Sequence, residues 1–269
     1  EHSIVIVCKM YVLNGDIMRT LLLFVFIFNF TLLGQESENS YKYEPEGNKA
    51  EYFFGKFNRG KDLSDLMDWY DDFADWSDDQ GDIWDSMTVG IARPQYSNDL
   101  SSHDFMWINT WPDPTSQFRA LENWVTDEDA VELFADIPIT NTAVIDTWQW
   151  VVSEPRALEA SSVMYAVYSE CFLEEDVNLR MVYDDYVDFA KFAQENGDTV
   201  GRKLIVPTTQ TNSDADFHRL MYTSSVSEMG VNADLFWDKL SESEAAQNLQ
   251  GWECRNAVSY IVYGMRVAE

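Results

Sequence analysis

The chain has 269 residues, a formal net charge of −29, and 10 Trp, 13 Tyr and 16 Phe. Enough aromatic mass is present to fill a sizeable core, and the acidic surface repels nucleic-acid phosphates and anionic membranes. Nucleic-acid binding is therefore excluded as an expectation.

Residues 1–17 show no pattern that continues past Ile17 and read as an upstream translated segment. From Met18 and Arg19 an apolar run, Leu21 to Phe28 and on to Leu33-Gly34, has the plan of a secretory signal peptide over residues 18–34. The run is shorter than the roughly 20 apolar residues that cross a bilayer. The expectation is a periplasmic or extracellular protein with no membrane attachment after cleavage, starting with a polar linker over 35–48.

Two modules come next, 49–152 and 162–269, joined by a linker at 153–161. At an offset of 113 positions Tyr52 falls on Tyr165, Leu66 on Leu179, Tyr70-Asp71-Asp72 on Tyr183-Asp184-Asp185, and Pro94 on Pro207. Asp104-Phe105 meets Asp216-Phe217 at 112, and Ala143-Val144 meets Ala257-Val258 at 114, as loops of slightly different length require.

The pattern predicts the same elements in each copy. Tyr52 to Phe57 reads as a strand, and Leu63, Leu66, Met67, Tyr70, Phe73 and Ala74 recur with helical spacing. Strands are expected at Thr88–Ala92 and Asp104–Trp111, then a helix over Ser116–Trp124 with further turns at Glu128–Ala135, and a strand at Ala143–Val152. The second copy repeats this at Met164–Cys171, Leu179–Gln194, Lys203–Val206, Phe217–Thr223, Ala233–Leu240 and Ala257–Val267.

The order βαββαβ, written twice, makes the predicted class α+β: two tandem ferredoxin-like modules whose sheets face each other as a pseudo-dimeric α/β barrel. On this element order and duplication, the chain resembles the dimeric α/β-barrel superfamily. That superfamily includes small monooxygenases, EthD-like and NIPSNAP-like proteins, and haem-binding chlorite dismutase relatives. No family motif supports the likeness, so it transfers no catalytic residue. Haem enters only through the resemblance, and the residues themselves predict no cofactor.

In this topology the first and fourth strands of a module run side by side. Cys171 ends one and Cys254 precedes the other, so a disulfide between them is expected, with two free thiols or a redox pair as alternatives.

Asp71, Asp72 and Asp75 lie opposite the apolar helical stripe and read as a solvated face. The acidic run at Asp78-Asp79-Gln80-Gly81-Asp82 lacks the spacing of an EF-hand loop, and no metal site is predicted. His218 falls within a strand; facing the space between the sheets it would serve as acid, base or haem ligand, and facing the helices it would be a core histidine. Its register partner is Met106 at an offset of 112 or Phe105 at 113.

Arg202, Lys203 and Arg219 suggest a small basic pocket for an anionic ligand. The pocket candidates are His218, Arg219, Trp107 and Trp148, and the aromatic residues around them form either a ligand cavity or a packed seam. Phosphate loops, serine-hydrolase elbows and zinc-peptidase motifs are absent. The function read first is an acidic exported module without catalysis that binds or contacts a protein partner. The alternative is a small-molecule-binding or oxygenase-like barrel with an apolar or anionic ligand between the sheets. Whether the chain is an enzyme is left open.

Overall fold

The computed structural model describes residues 41–156, 158–160 and 162–268. The expected upstream segment, the signal peptide and residues 35–40 of the polar linker lie outside the described residues. Chain order gives β1 (Glu46–Phe57), α1 (Leu63–Asp78), a short 3-10 turn at Gly81–Ile83, β2 (Thr88–Tyr96), β3 (Phe105–Trp111), α2 (Pro114–Thr126), α3 (Glu128–Ala135) and β4 (Ile139–Ser153). The second half holds β5 (Val163–Leu173), α4 (Leu179–Glu195), β6 (Gly201–Pro207), β7 (Phe217–Thr223), α5 (Val226–Leu235) running into a π-helical turn at Phe236–Leu240, α6 (Glu244–Gln247) and β8 (Trp252–Arg266).

All eight strands close into one antiparallel barrel in the order β1-β3-β2-β8-β5-β7-β6-β4. The chain is thus an α+β protein built on a closed barrel. The two four-stranded halves do more than face each other, because β2–β8 and β4–β6 join their edges by hydrogen bonds. Closure leaves no unpaired strand edge in the barrel.

Alternation along each strand sends one set of side chains into the lumen and the other under the helices. Tyr52, Met106, Ile205, Leu220 and Tyr260 belong to the inner set. The outer set of the first half packs with α1 through Leu66, Trp69, Tyr70 and Phe73, and that of the second half packs with α4 through Tyr183, Tyr186 and Phe189. Burying a side chain of this size contributes roughly 1.5–3 kcal/mol each. Capping fixes where these helices begin. The Asp62 side chain accepts from Ser64 N, Asp65 reaches back to the Asp62 amide, and Asn178 accepts from the amides of Arg180 and Met181.

Three details depart from the sequence expectation. The last large helix starts at Val226, capped by Ser225, rather than at Ala233. Its Ser-rich start carries little apolar periodicity, which hid it. Ile108 pairs with Tyr52 and Leu220 with Tyr168 across the strands, so Tyr168, not Tyr165, takes the place of Tyr52. Asp71, Asp72 and Asp75 are exposed as expected, but Asp184 and Asp188 hold the segment before β1: Lys42 Nζ lies 2.6 Å and Tyr43 Oη 2.7 Å from Asp188, and the Lys42 amide donates to Asp184 at 2.7 Å.

Cys171 and Cys254 are cross-strand neighbours on β5 and β8, with Cα atoms 4.1 Å apart, and form a disulfide. The acidic run after α1 is engaged by arginines: Arg119 donates to Asp82 at 2.6 Å and Arg266 pairs with Asp78 at 3.2 Å. Among the described residues no group of three or more His, Cys, Asp or Glu side chains is arranged to hold a metal.

Candidate functional site in the barrel lumen

His218 sits on β7 opposite Glu170 of β5 and Ile205 of β6. Ile205 belongs to the inner set, so His218 points into the lumen, in the register that matches it with Met106. There it borders a cavity of about 380 Å³, together with Glu170, Tyr52, Tyr168, Tyr260 and Asn256. The lumen is therefore only partly a packed seam. A smaller cavity of about 120 Å³ lies beyond Tyr52 and Tyr168 and is bordered by Lys203, Gln149 and Tyr222.

A bulge shapes the wall beside His218. Tyr168 pairs with Val258 and Glu170 with Arg255, so β8 carries an extra residue there, and Asn256 adopts a left-handed conformation with φ 53°. Asparagine tolerates that conformation better than most residues. The bulge turns the Asn256 side chain toward Glu170, and Nδ2 donates to Oε2 at 2.6 Å. Ser213 Oγ donates to the other oxygen at 2.7 Å.

These donors, Asn256 foremost, hold the Glu170 carboxyl below the usual carboxylate range. Burial lowers the His218 pKa, against the pull of the nearby Glu170 charge. Near neutral pH the pair is thus a neutral imidazole beside a carboxylate. The phenols around it stay protonated, since burial raises Tyr52, Tyr168 and Tyr260 well above the ordinary tyrosine value. Tyr168 meets both Tyr52 and Tyr260 edge to face, with centroids 5.8 and 5.5 Å apart. The arrangement offers a ligand phenolic donors, an imidazole able to accept a proton and a carboxylate beside it.

The four sequence-derived pocket residues do not converge. Of the four, His218 alone faces the lumen cavity. Trp107 lies on the outer face of the first half, packed edge-on or tilted against Trp69, Tyr70 and Phe73. Trp148 is on the outside of β4, over which Lys49 Nζ stands 5.3 Å from the ring centroid. Arg219 points outward beneath α4 and α5 against the Trp252 ring, 5.9 Å away.

The three cations of the suggested basic pocket are likewise separated. Arg202 is held by Asp198 through two contacts of 2.8 Å in a buried pair. Lys203 lies in the lumen, where its ammonium donates to Asn48 and Gln149 and burial lowers its pKa. Sequence reasoning missed Glu170, Asn256, Tyr52 and Tyr168, while Tyr260 belonged to the aromatic set that it offered as cavity or seam. It read His103 as an ordinary loop residue, yet Nε2 lies 3.1 Å from Tyr260 Oη.

Haem does not fit around His218. A cavity of about 380 Å³ is near the lower end of the roughly 300–1,000 Å³ range of small-ligand sites. The tyrosine rings stand perpendicular to one another within it and leave no flat slot for a macrocycle.

No protein-family model matches the chain, and no curated protein matches it. Solved structures do. One is a proposed monooxygenase from Fusobacterium nucleatum, at TM-score 0.51 and 11% identity over 84% of this chain and 95% of that one. Others are a proposed chlorite dismutase, at TM-score 0.46 and 11% identity over 80% and 94%, and a haem-binding protein from Thermus thermophilus, at 0.44 and 11% over 82% and 95%. The likeness to the first places the closed barrel in the dimeric α/β-barrel fold, and at such identity it speaks for fold alone.

Proposed function

We propose that this protein is a small-molecule-binding α/β barrel, made of two ferredoxin-like modules, whose ligand lies in the lumen against His218 and Glu170. One observation carries the reading: the space between the halves is a cavity of about 380 Å³ lined by a few convergent polar groups on an otherwise aromatic wall. A sealed seam would have left no such room. The bulge at Asn256, which aims a side chain at Glu170, supports it further. This reverses the order of the sequence reading, in which a noncatalytic interaction module stood first. The ligand is a compact, mainly apolar molecule with one polar group to meet His218. Export, with cleavage near Gly34, is part of the same proposal.

The test uses protein beginning near Gln35, produced in an oxidising compartment, and examined by native mass spectrometry and by thermal shift against a library of small apolar hydroxy and keto compounds. The expected result is a retained mass or a saturable stabilisation that His218→Ala weakens about tenfold or more. A clean apo mass, with no library compound stabilising the protein, overturns the reading in favour of a noncatalytic module.

A further inference from the structure

A second cleft opens on the outer face of the first half, independent of the lumen. Glu51 and Phe53 alternate with Tyr52 on β1, so they point away from the lumen, toward the layer formed by α1, α2 and α3. Together with Trp107 and Trp111 of β3 they border a cavity of about 210 Å³, walled on the helix side by Trp69, Trp84, Trp124 and Phe134.

The polar groups of this cleft are unusual in kind. The indole N–H of Trp69 donates to Leu133 O at 3.0 Å, that of Trp84 to Asn123 Oδ1 at 2.8 Å, and that of Trp107 to Asn109 Oδ1 at 2.6 Å. Those rings therefore present their carbon faces and edges. Among the described residues no lysine or arginine lines the cavity.

At its floor Glu51 accepts from Trp111 Nε1 and Asn109 Nδ2, both at 3.3 Å, and from Gln117 Nε2 at 3.1 Å. All three donors are neutral. Its cross-strand neighbour Asp146 is matched by Lys49 at 2.5 Å. The one nearby ammonium thus serves Asp146, and Glu51 forms no ion pair among the described residues. Gln117, itself buried, directs its amide N–H groups at both carboxylates, while its Oε1 accepts no hydrogen bond from a described residue.

An aromatic enclosure above an unneutralised carboxylate, poor in donors, is complementary to one kind of ligand. Positive charge is attracted to the faces of tryptophan rings, the more so when desolvated, and quaternary ammonium groups are recognised in this way. The chain already lays one ammonium on a tryptophan next door, Lys49 on Trp148. We infer that this cleft is a binding site for a small organic cation of the alkylammonium class, with Glu51 as its counter-charge and the tryptophan faces as its walls. The volume, below that of sites for drug-sized molecules, limits the ligand to a single small head group.

Choline is the probe, and 3,3-dimethylbutan-1-ol, of the same shape without the charge, is the control. Tryptophan emission of the unmodified protein is titrated with each. Choline is expected to change the emission saturably, with the neutral alcohol at least about tenfold weaker. Glu51→Gln is expected to weaken choline by about tenfold and leave the alcohol unaffected, whereas His218→Ala leaves the choline response unchanged, which separates this site from the lumen. Equal binding of choline and the alcohol, or no saturation by choline up to about 50 mM, overturns the inference. Both of those readings use the unmodified chain, so they stand even if Glu51→Gln does not fold.

Discussion

The two halves of the barrel follow one element order but secure their outer layers by different means. Where β1 meets β3, Phe105 pairs with Gly55; where β5 meets β7, Phe217 pairs with Cys171. In the first half the glycine makes room. A Cβ there would lie 2.6 Å from the Phe105 ring and 2.7 Å from the Thr140 carbonyl oxygen. The aromatic residues packed beyond it leave a cleft.

The same place in the second half is a covalent tie to Cys254, and the layer outside it is filled by Tyr186, Phe189 and Leu240 around the buried Arg202–Asp198 pair. Two ways of stabilising one backbone plan have unequal side effects. Rigid indoles meeting edge to face cannot fill every gap, and the half held by tryptophans keeps a cavity of about 210 Å³.

The sharpest way to break this contrast is to remove the tie. The disulfide closes a sequence separation of 83 residues, for which chain-entropy arguments give about 4 kcal/mol. The paired change of Cys171 and Cys254 to serine is expected to lower stability in urea unfolding by about that amount and to leave the first half's tryptophan emission in the folded state unchanged. A loss below about 1 kcal/mol would mean that packing alone holds the second half, as it does the first.

The complementary change acts on the glycine. Gly55→Ala sets a methyl group against a ring and, more seriously, against a backbone oxygen that cannot rotate away. The expected cost is about 2 kcal/mol in the same unfolding measurement. A cost under about 0.5 kcal/mol would show that β1 and β4 can part there freely, and that the glycine is not what sets the first half apart.

Much of this contrast is legible in the residues alone. Helical spacing at Leu66, Tyr70 and Phe73 locates the first helix, and the repeat of the element order places Cys171 beside Cys254. What alternation cannot do is tell the two sides of a strand apart. In an open antiparallel sheet one face is polar, but here the helices cover one face and the lumen encloses the other, so both read as apolar. Trp107 and His218 are therefore grouped by sequence although they lie on opposite sides of the barrel wall. The shift from Tyr165 to Tyr168 has the same origin, since two tyrosines three residues apart point to opposite faces and both are aromatic. Asn256 is beyond reach for another reason: a bulge is set by how two distant strands pair, and nothing local in the sequence announces it.

The smallest expected effect belongs to the lumen, which both halves share. Burial lowers the folded-state pKa of His218 from its ordinary 6.5, and it does the same to His103. A histidine with a depressed pKa binds fewer protons folded than unfolded, so stability rises with pH toward 6.5 and then levels off, with the full cost in place below the folded pKa. Glu170 also favours higher pH, since its folded pKa is lowered, but its contribution is lost only as pH falls below about 4.5. Between 4.5 and 6.5 the two histidines therefore drive the rise, opposed by Asp185, whose carboxyl burial raises above its ordinary value and whose contribution fades as pH climbs. Urea midpoints measured across it should climb in the unmodified protein, climb less in His218→Gln, and climb less in His103→Gln. If His218→Gln leaves the slope unchanged, His218 meets water in both states and the lumen is wetter than its aromatic wall implies. If it removes the whole slope, His103 contributes nothing, and the imidazole facing the cavity is the one group through which pH reaches the shared core of the two halves.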